Sequence, residues 1–172
     1  TAYGLKTALT EELFPGISFS FIVQKEPLGI AHAVQSARDF LSDSDFLLFL
    51  GDNLLQQNIG DLVEDYRKTA PDALIVLKTV DDPRAFGVAV TDSSGKVLKV
   101  IEKPREPPSN LALVGVYIFN SSVHHAISRL KPSWRGEYEI TDAIQLLMEE
   151  NKNVRSYTLK GWWLDTGRKE DL

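Results

Sequence analysis

The feature that most restricts the fold of this chain is a pair of unbroken apolar runs, FLLFL at 46–50 and ALIVL at 73–77, with a helix-period segment between them. A strand wetted on one face alternates apolar and polar residues, so a strand-length apolar run implies cover on both faces. Between the runs, Ile59, Leu62, Val63 and Tyr66 fall on one side of a helix, and Pro71 stops it. Strand, helix and strand in this order require a crossover, which favours parallel strands in an open α/β sheet. The expected class is therefore α/β, with an open, mostly parallel, Rossmann-like sheet.

The remaining segments extend this layout. Residues 17–24 (ISFSFIVQ) read as a strand, and 30–41 as a helix with Ile30, Val34, Ala37 and Leu41 on one face. Residues 81–103 contain two short strands around the turn 92–95, a hairpin inserted into the parallel arrangement. KPREPPSN at 103–110 is a stiff extended loop, since its three prolines exclude helix and central strand. LALVGVYIF resumes as a buried strand, 123–130 as a short helix and 141–151 as a helix capped by Thr141 or Asp142. A last strand ends at WLD, and GRKEDL reads as the first turn of a further helix. No repeat or linker divides the chain, so residues 1–172 form one domain. No glycine-rich phosphate turn follows the first strand, so the sheet is expected to be incomplete on its N-terminal side. The sheet edge left open invites self-association into a homo-oligomer.

Composition narrows the chemistry. With 19 Lys and Arg against 24 Asp and Glu, the chain has a formal charge of −5 and no basic block longer than two residues. It carries no footprint for nucleic acid. There are no cysteines, which excludes disulfides, thiolate metal sites and a Cys nucleophile, and suits a reducing compartment. Apolar runs are strand-sized, so no signal peptide or membrane span is read, and the expected location is cytoplasmic.

In open α/β sheets ligands bind beyond the carboxyl ends of strands, which draws attention to Asp52 after FLLFLG and Asp165 after GWWL. Mg²⁺ takes one or two carboxylates and completes its octahedron with water and phosphate oxygens, so these two form a candidate metal pair. Taken singly, Asp52 also suits a turn cap and Asp165 an N-cap. Glu102 and Lys103 end a strand and are fixed by Pro104; the same pair also suits a solvated edge. Gly87 either admits a ligand close to the backbone or is an ordinary strand-edge glycine. The Gln24 amide offers the donor and acceptor needed to read a pyrimidine edge, or is a surface amide. Trp163, beside a strand-end carboxylate, either covers a sugar face or belongs to the core. His32, His124 and His125 lack metal-ligand spacing and are assigned structural roles.

Six strings in order, QKEPLGIAHAV, FLGDNLL, DPRAFGVAV, VIEKPREPPSNLALVGVYIF, PSWRGEYEITDAIQ and GWWLDTGRKEDL, resemble the sugar-phosphate nucleotidyltransferases, and among them the long-type glucose-1-phosphate thymidylyltransferases. The resemblance runs from Gln24 to the end of the chain. It implies nucleotidyl transfer from dTTP, or UTP, to glucose 1-phosphate, with Mg²⁺ as cofactor. It places Gln24 and the Gly29 backbone at the base, and Asp52 and Asp165 at the metal. Gly87, Glu102, Lys103 and Trp163 would hold the sugar and its phosphate, Lys103 also counting as catalytic through its charge. Phe86 stands where relatives often carry an aromatic hydroxyl. The family's GxGTRL loop with its following Pro and Lys is not in this sequence, so the chain is expected to be a piece of a longer enzyme and nearly inert alone. Two rivals are weighed. A non-catalytic module retaining a sugar-nucleotide pocket would explain the missing loop, whereas a glycosyltransferase would need two Asp spaced by one residue and finds Asp52 and Asn53 instead.

Overall fold

The computed structural model describes residues 2–167. In chain order its elements are helices α1 (Ala2–Ala8), α2 (Ile30–Ser36) and α3 (Arg38–Leu41), strands β1 (Phe46–Phe49) and β2 (Asn53–Leu55), helix α4 (Ile59–Thr69), strands β3 (Ala73–Thr79), β4 (Gly87–Thr91), β5 (Val97–Glu102) and β6 (Leu111–Phe119), helices α5 (Ser122–Ser128) and α6 (Ile140–Glu149), and strands β7 (Val154–Thr158) and β8 (Trp163–Asp165). No helix among the described residues is long and apolar enough to cross a membrane.

The α/β architecture and the open sheet are as expected, and β4 and β5 form the expected antiparallel hairpin. The pairing within the sheet differs from the parallel arrangement. The main sheet runs β5-β4-β6-β3-β7 with β1 also on β6, and β3–β7 is its parallel pair among the described residues. The strands β1 and β3 do run in the same direction, as their crossover requires, but β6 lies between them and antiparallel to both. Adjacency was not encoded in the local pattern: β6 is the longest strand, and burying its nine residues from both sides is best met at the centre.

The run in β3 is buried on both faces because alternate residues serve two cores, and β6 is covered in the same way; the expected full cover fails for 46–50, where every residue is at least partly exposed and Phe49 is 39% exposed. Ala73, Ile75 and Leu77 of β3 and Leu113, Tyr117 and Phe119 of β6 face the layer of α2, α5 and α6. Leu74 and Val76, with Val114, Val116 and Ile118, face α4 through Leu62 and Tyr66. α4 itself begins where the Asn58 side chain accepts from the Gly60 N–H at 2.8 Å, an N-cap that orders its first turn.

Further expectations need correction. The single helix expected over 30–41 is broken at Ala37 into α2 and α3. Residues 17–24 form no strand, and Ile17, Phe21, Ile22 and Val23 stand exposed. Alternation supplies two faces for a strand but not the neighbouring ladder that a strand needs, and no such neighbour occurs among the described residues. The helix after Tyr138 starts one residue early: Glu139 is its N-cap and makes no side-chain capping bond, so neither Thr141 nor Asp142 caps it. Their side chains serve elsewhere. The expected helical turn in GRKEDL falls largely outside the described residues.

Candidate active site

A split in the sheet creates the site. β3 occupies one edge of β6 from end to end, while β1 and β4 share the other edge, β1 at Val116–Phe119 and β4 at Ala112. Between them the edge is unpaired by strands, and a cavity of about 180 Å³ opens there. Gly115 makes the gap usable. Its carbonyl accepts from the Leu50 N–H at 2.8 Å and its N–H donates to Asn53 Oδ1 at 3.3 Å. A Cβ on Gly115 would come within 2.6 Å of Asn53 Nδ2 and 2.7 Å of Leu50 Cδ1, so a larger residue would displace the Asn53 amide and the Leu50 side chain.

Asp52 leaves the end of β1, and Asp165 ends β8, which pairs antiparallel with β2 so that Asn53 lies opposite Asp165. The strand pairing therefore brings two residues more than a hundred positions apart side by side. Asp52 Oδ2 and Asp165 Oδ1 lie 2.9 and 3.1 Å from the point a Cβ on Gly167 would occupy, so the two carboxylates converge beside Gly167, whose N–H donates to Asp165 Oδ1 at 2.9 Å. Backbone bonds hold the corner: the Asp52 carbonyl accepts from the Thr166 N–H at 2.7 Å and from its hydroxyl at 2.9 Å. Asn53 aims Asp52, donating from Nδ2 to Asp52 Oδ1 at 2.8 Å while its Oδ1 accepts from Trp163 Nε1 at 2.7 Å. Sequence reading saw Asn53 only as part of a turn. Its burial, 6% exposed, is the sign of a larger duty.

The other wall carries the remaining candidates. Gly87 lies opposite Glu102 in the β4–β5 ladder, and a Cβ there would meet Thr141 Cγ2 at 2.8 Å. Lys103 lines the cavity and has φ 41°, a left-handed conformation uncommon for a residue with a side chain, held by its N–H donating to the Phe86 carbonyl at 3.1 Å. Such strain costs on the order of 1 kcal/mol or more and concentrates at functional sites. Trp163 packs against Phe86 with ring centres 4.9 Å apart. Gln24 and Gly29 are not in the cavity lining; they sit on its flank, where Gly29 packs against Glu137 and Tyr138 beside the lining residue Ile30.

Arg135, within the string PSWRGEYEITDAIQ, is a further lining residue of the cavity. Its guanidinium Nη1 lies 3.6 Å from Glu102 Oε1 and 3.3 Å from Glu139 Oε1, and its Nη2 lies 2.9 Å from Glu137 Oε1. The available signal was the clustering of Arg135, Glu137 and Glu139 within five residues; the segment is a turn with Gly136 at φ 76°, and the turn brings the three charged side chains together. Ser133 fixes the group, donating to Glu139 Oε1 at 2.8 Å and accepting from the Arg135 N–H at 3.1 Å. Burial, then the neighbouring charge of Glu139, push the Glu102 carboxyl above the usual range, against the opposing hydrogen bond from Thr141 and the charges of Lys103 and Arg135. Burial likewise raises the Tyr117 hydroxyl in the cavity wall.

The shift at Glu102 has a measurable consequence. With a folded pKa above the ordinary 4.5, the folded protein holds this proton more tightly than the unfolded chain does. The associated stability is present at acid pH and is lost as pH rises through the raised value. Thermal unfolding followed upward from the ordinary 4.5 is expected to show wild type losing stability relative to Glu102→Gln as pH rises, and Glu139→Gln is expected to move that loss to lower pH. Parallel curves for wild type and Glu102→Gln would contradict the assignment.

The donor set around the cavity is oxygen-rich. Asp52, Glu102, Glu137, Glu139 and Asp165 outnumber Lys103 and Arg135. A phosphate entering this surround needs a further cation, and two facing carboxylates suit a hard ion that keeps water and phosphate as its other ligands. No cluster of three or more metal-ligating side chains occurs among the described residues. A two-carboxylate Mg²⁺ site needs none.

Comparison with known proteins follows the same lines. The family model described as nucleotidyl transferase matches residues 3–172. The chain belongs to the nucleotidyl transferase family. It is 50% identical over 157 residues to the low-salt glycan biosynthesis nucleotidyltransferase Agl11 of Haloferax volcanii, and 48% identical over 157 residues to a glucose-1-phosphate thymidylyltransferase of Streptomyces griseus. Each match covers 91% of this chain but only 44% of the relative, so this nucleotidyl transferase chain spans less than half the length of either. A uridylyl counterpart, the UTP–glucose-1-phosphate uridylyltransferase AglF of Haloferax volcanii, is 40% identical over 163 residues, 94% of this chain and 67% of its own. Among solved structures, one from Bacillus anthracis assigned as a glucose-1-phosphate thymidylyltransferase, in complex with sucrose, superposes with a TM-score of 0.87 at 34% identity, covering 99% of this chain and 68% of that one.

Proposed function

We propose that this nucleotidyl transferase chain carries the sugar-phosphate half, and the base-facing flank, of a site that transfers a thymidylyl group from dTTP to glucose 1-phosphate, giving dTDP-glucose and pyrophosphate. The observation that carries the reading is the meeting of Asp52 Oδ2 and Asp165 Oδ1 at the mouth of a cavity whose other wall holds Glu102, Lys103 and Arg135. In this reading the hexose lies against Trp163 and Phe86, Glu102 accepts from its hydroxyls, and Gly87 leaves the room a ring needs. Lys103 and Arg135 take the sugar phosphate, Arg135 exchanging carboxylate partners for phosphate oxygens. Gln24 and Gly29 face the pyrimidine.

Asp52 and Asp165 would hold Mg²⁺, which when bound would offset charge on the phosphates of both substrates. The reaction forms a bond from a sugar-phosphate oxygen to the α-phosphorus and breaks the α–β anhydride, so pyrophosphate leaves with that bonding pair. The attacking oxygen is already ionised, and no general base is required. What this chain supplies is alignment and fixed positive charge, the two aids that dominate phosphoryl-type transfer.

A uridylyl reading stands beside the thymidylyl one because thymine and uracil share the imide edge that one Gln would read, and a uridylyl relative is among the matches. Calorimetric titration of the chain with glucose 1-phosphate in the presence of Mg²⁺, followed by dTTP or UTP, tests both. Saturable glucose 1-phosphate binding that Glu102→Ala weakens by about tenfold or more is expected. Absence of saturable binding by both sugar phosphate and nucleotides would overturn the proposal, and tighter UTP than dTTP binding would replace thymidylyl with uridylyl.

A further inference from the structure

The turn from Gln24 to Gly29 is closed by the Gln24 side chain. Its Nε2 donates to the Gly29 carbonyl at 3.0 Å and lies 2.9 Å from His32 Nδ1. A backbone carbonyl can only accept, so the atom beside it must be the amide nitrogen, and this fixes which way the amide faces. The nitrogen has two hydrogens. One goes to Gly29 and the second points to His32 Nδ1, which must therefore be the unprotonated ring nitrogen, with the proton on Nε2.

His32 is held for this task from a second direction. Its ring stacks on Tyr138 with centres 6.3 Å apart and planes inclined by 27°. The Tyr138 backbone in turn grips both sides of the turn, its N–H donating to the Leu28 carbonyl at 2.7 Å and its carbonyl accepting from the Ala31 N–H at 3.2 Å. Gly29 is required here: φ is 101°, and a Cβ would meet the Tyr138 carbonyl oxygen at 2.6 Å. Both amide hydrogens of Gln24 are thus committed to protein. Gln24 Oε1 accepts no hydrogen bond among the described residues.

We infer that His32 is a positioning residue for nucleobase specificity: by accepting from Gln24 Nε2 it turns Gln24 Oε1 outward as a pure acceptor, which selects a base presenting a ring N–H. The inference rests on the reading of Gln24 as the base contact. Thymine and uracil carry N3–H and satisfy Oε1. Cytosine presents a lone pair at N3, so its ring nitrogen and Oε1 face each other as two acceptors. Without His32 the amide keeps one anchor, at Gly29, and is freer to rotate its nitrogen toward the ligand. The discrimination between the two kinds of pyrimidine is then lost while the sugar pocket is untouched.

The test is binding of dTTP and dCTP, each with Mg²⁺, to wild type, His32→Ala and His32→Asn, with glucose 1-phosphate binding measured on every variant. Asn places an acceptor oxygen close to where Nδ1 stands, so it serves as the conservative rescue. Wild type is expected to favour dTTP by about tenfold or more, His32→Ala to bring the ratio to within about threefold, and His32→Asn to restore it. Glucose 1-phosphate affinity is expected to stay constant across the series, which separates positioning from damage to the fold. Retention of the dTTP preference in His32→Ala overturns the inference, as does a nitrogen-15 NMR spectrum showing His32 protonated at Nδ1. A wild type that binds glucose 1-phosphate yet does not distinguish dTTP from dCTP overturns it together with the base role of Gln24, and leaves the sugar-phosphate reading standing. A wild type that binds neither overturns both.

Discussion

Replacing either Asp52 or Asp165 by Asn is expected to weaken divalent-ion binding by about 100-fold or more, followed with Mn²⁺ by water-proton relaxation in the presence of dTTP and glucose 1-phosphate. The two carboxylates converge beside Gly167, so on the proposed reading each substitution removes half of the protein's share of the ligands. Loss of an outer-shell partner alone costs about 10–100-fold in metal affinity, and a direct ligand is worth at least as much. Asn53→Ala is the graded control, because it frees the Asp52 carboxylate from its 2.8 Å bond without removing it. An intermediate loss is expected there. Mn²⁺ binding that survives both Asp substitutions would remove the metal site, and with it the observation on which the nucleotidyl-transfer reading rests.

The second large effect is on stability. Phe119 is fully buried at the end of β6, with Phe46 and Tyr117 ring centres 5.9 and 5.8 Å away. Truncation to Ala leaves a cavity between the sheet and the helical layer, costing about 3–5 kcal/mol. For a chain of this size that corresponds to a fall of roughly 10 °C in Tm. Trp134, 86% exposed, gives the contrast. Its replacement by Ala is expected to change stability by no more than about 0.5 kcal/mol. Urea or thermal unfolding of the two variants side by side checks both values; similar losses would mean that Phe119 does not sit in the core described.

The sequence revealed the strands of the core and the corners that follow them, because periodicity is a local property. The strand runs at 46–50, 73–77 and 111–119, the hairpin within 81–103 and the proline-rich loop after Glu102 all lie where pattern and turn chemistry put them, although 46–50 is only partly buried. Asp52, Glu102, Lys103 and Asp165 were legible for the same reason, as charged residues at abrupt strand ends. Arg135, Glu139 and Asn53 were not singled out and Thr141 was read only as a cap, since each acquires its surroundings from a different element of the chain. Thr141, for example, had looked like a helix cap, yet its hydroxyl donates to Glu102 Oε2 at 3.1 Å across 39 residues of chain.

What the amino-acid order determined by itself was therefore the kind and order of the elements and the residue types at their ends. Hydrophobic period and backbone restriction act over a few residues and need no knowledge of partners. Tertiary structure alone decided that β6 enters between β1 and β3, that 17–24 forms no strand, and that it is the β2–β8 pairing which brings Asp52 and Asp165 to one corner. Those outcomes depend on which edges find a hydrogen-bonding neighbour and which faces find cover, and both are properties of segments far apart in the chain.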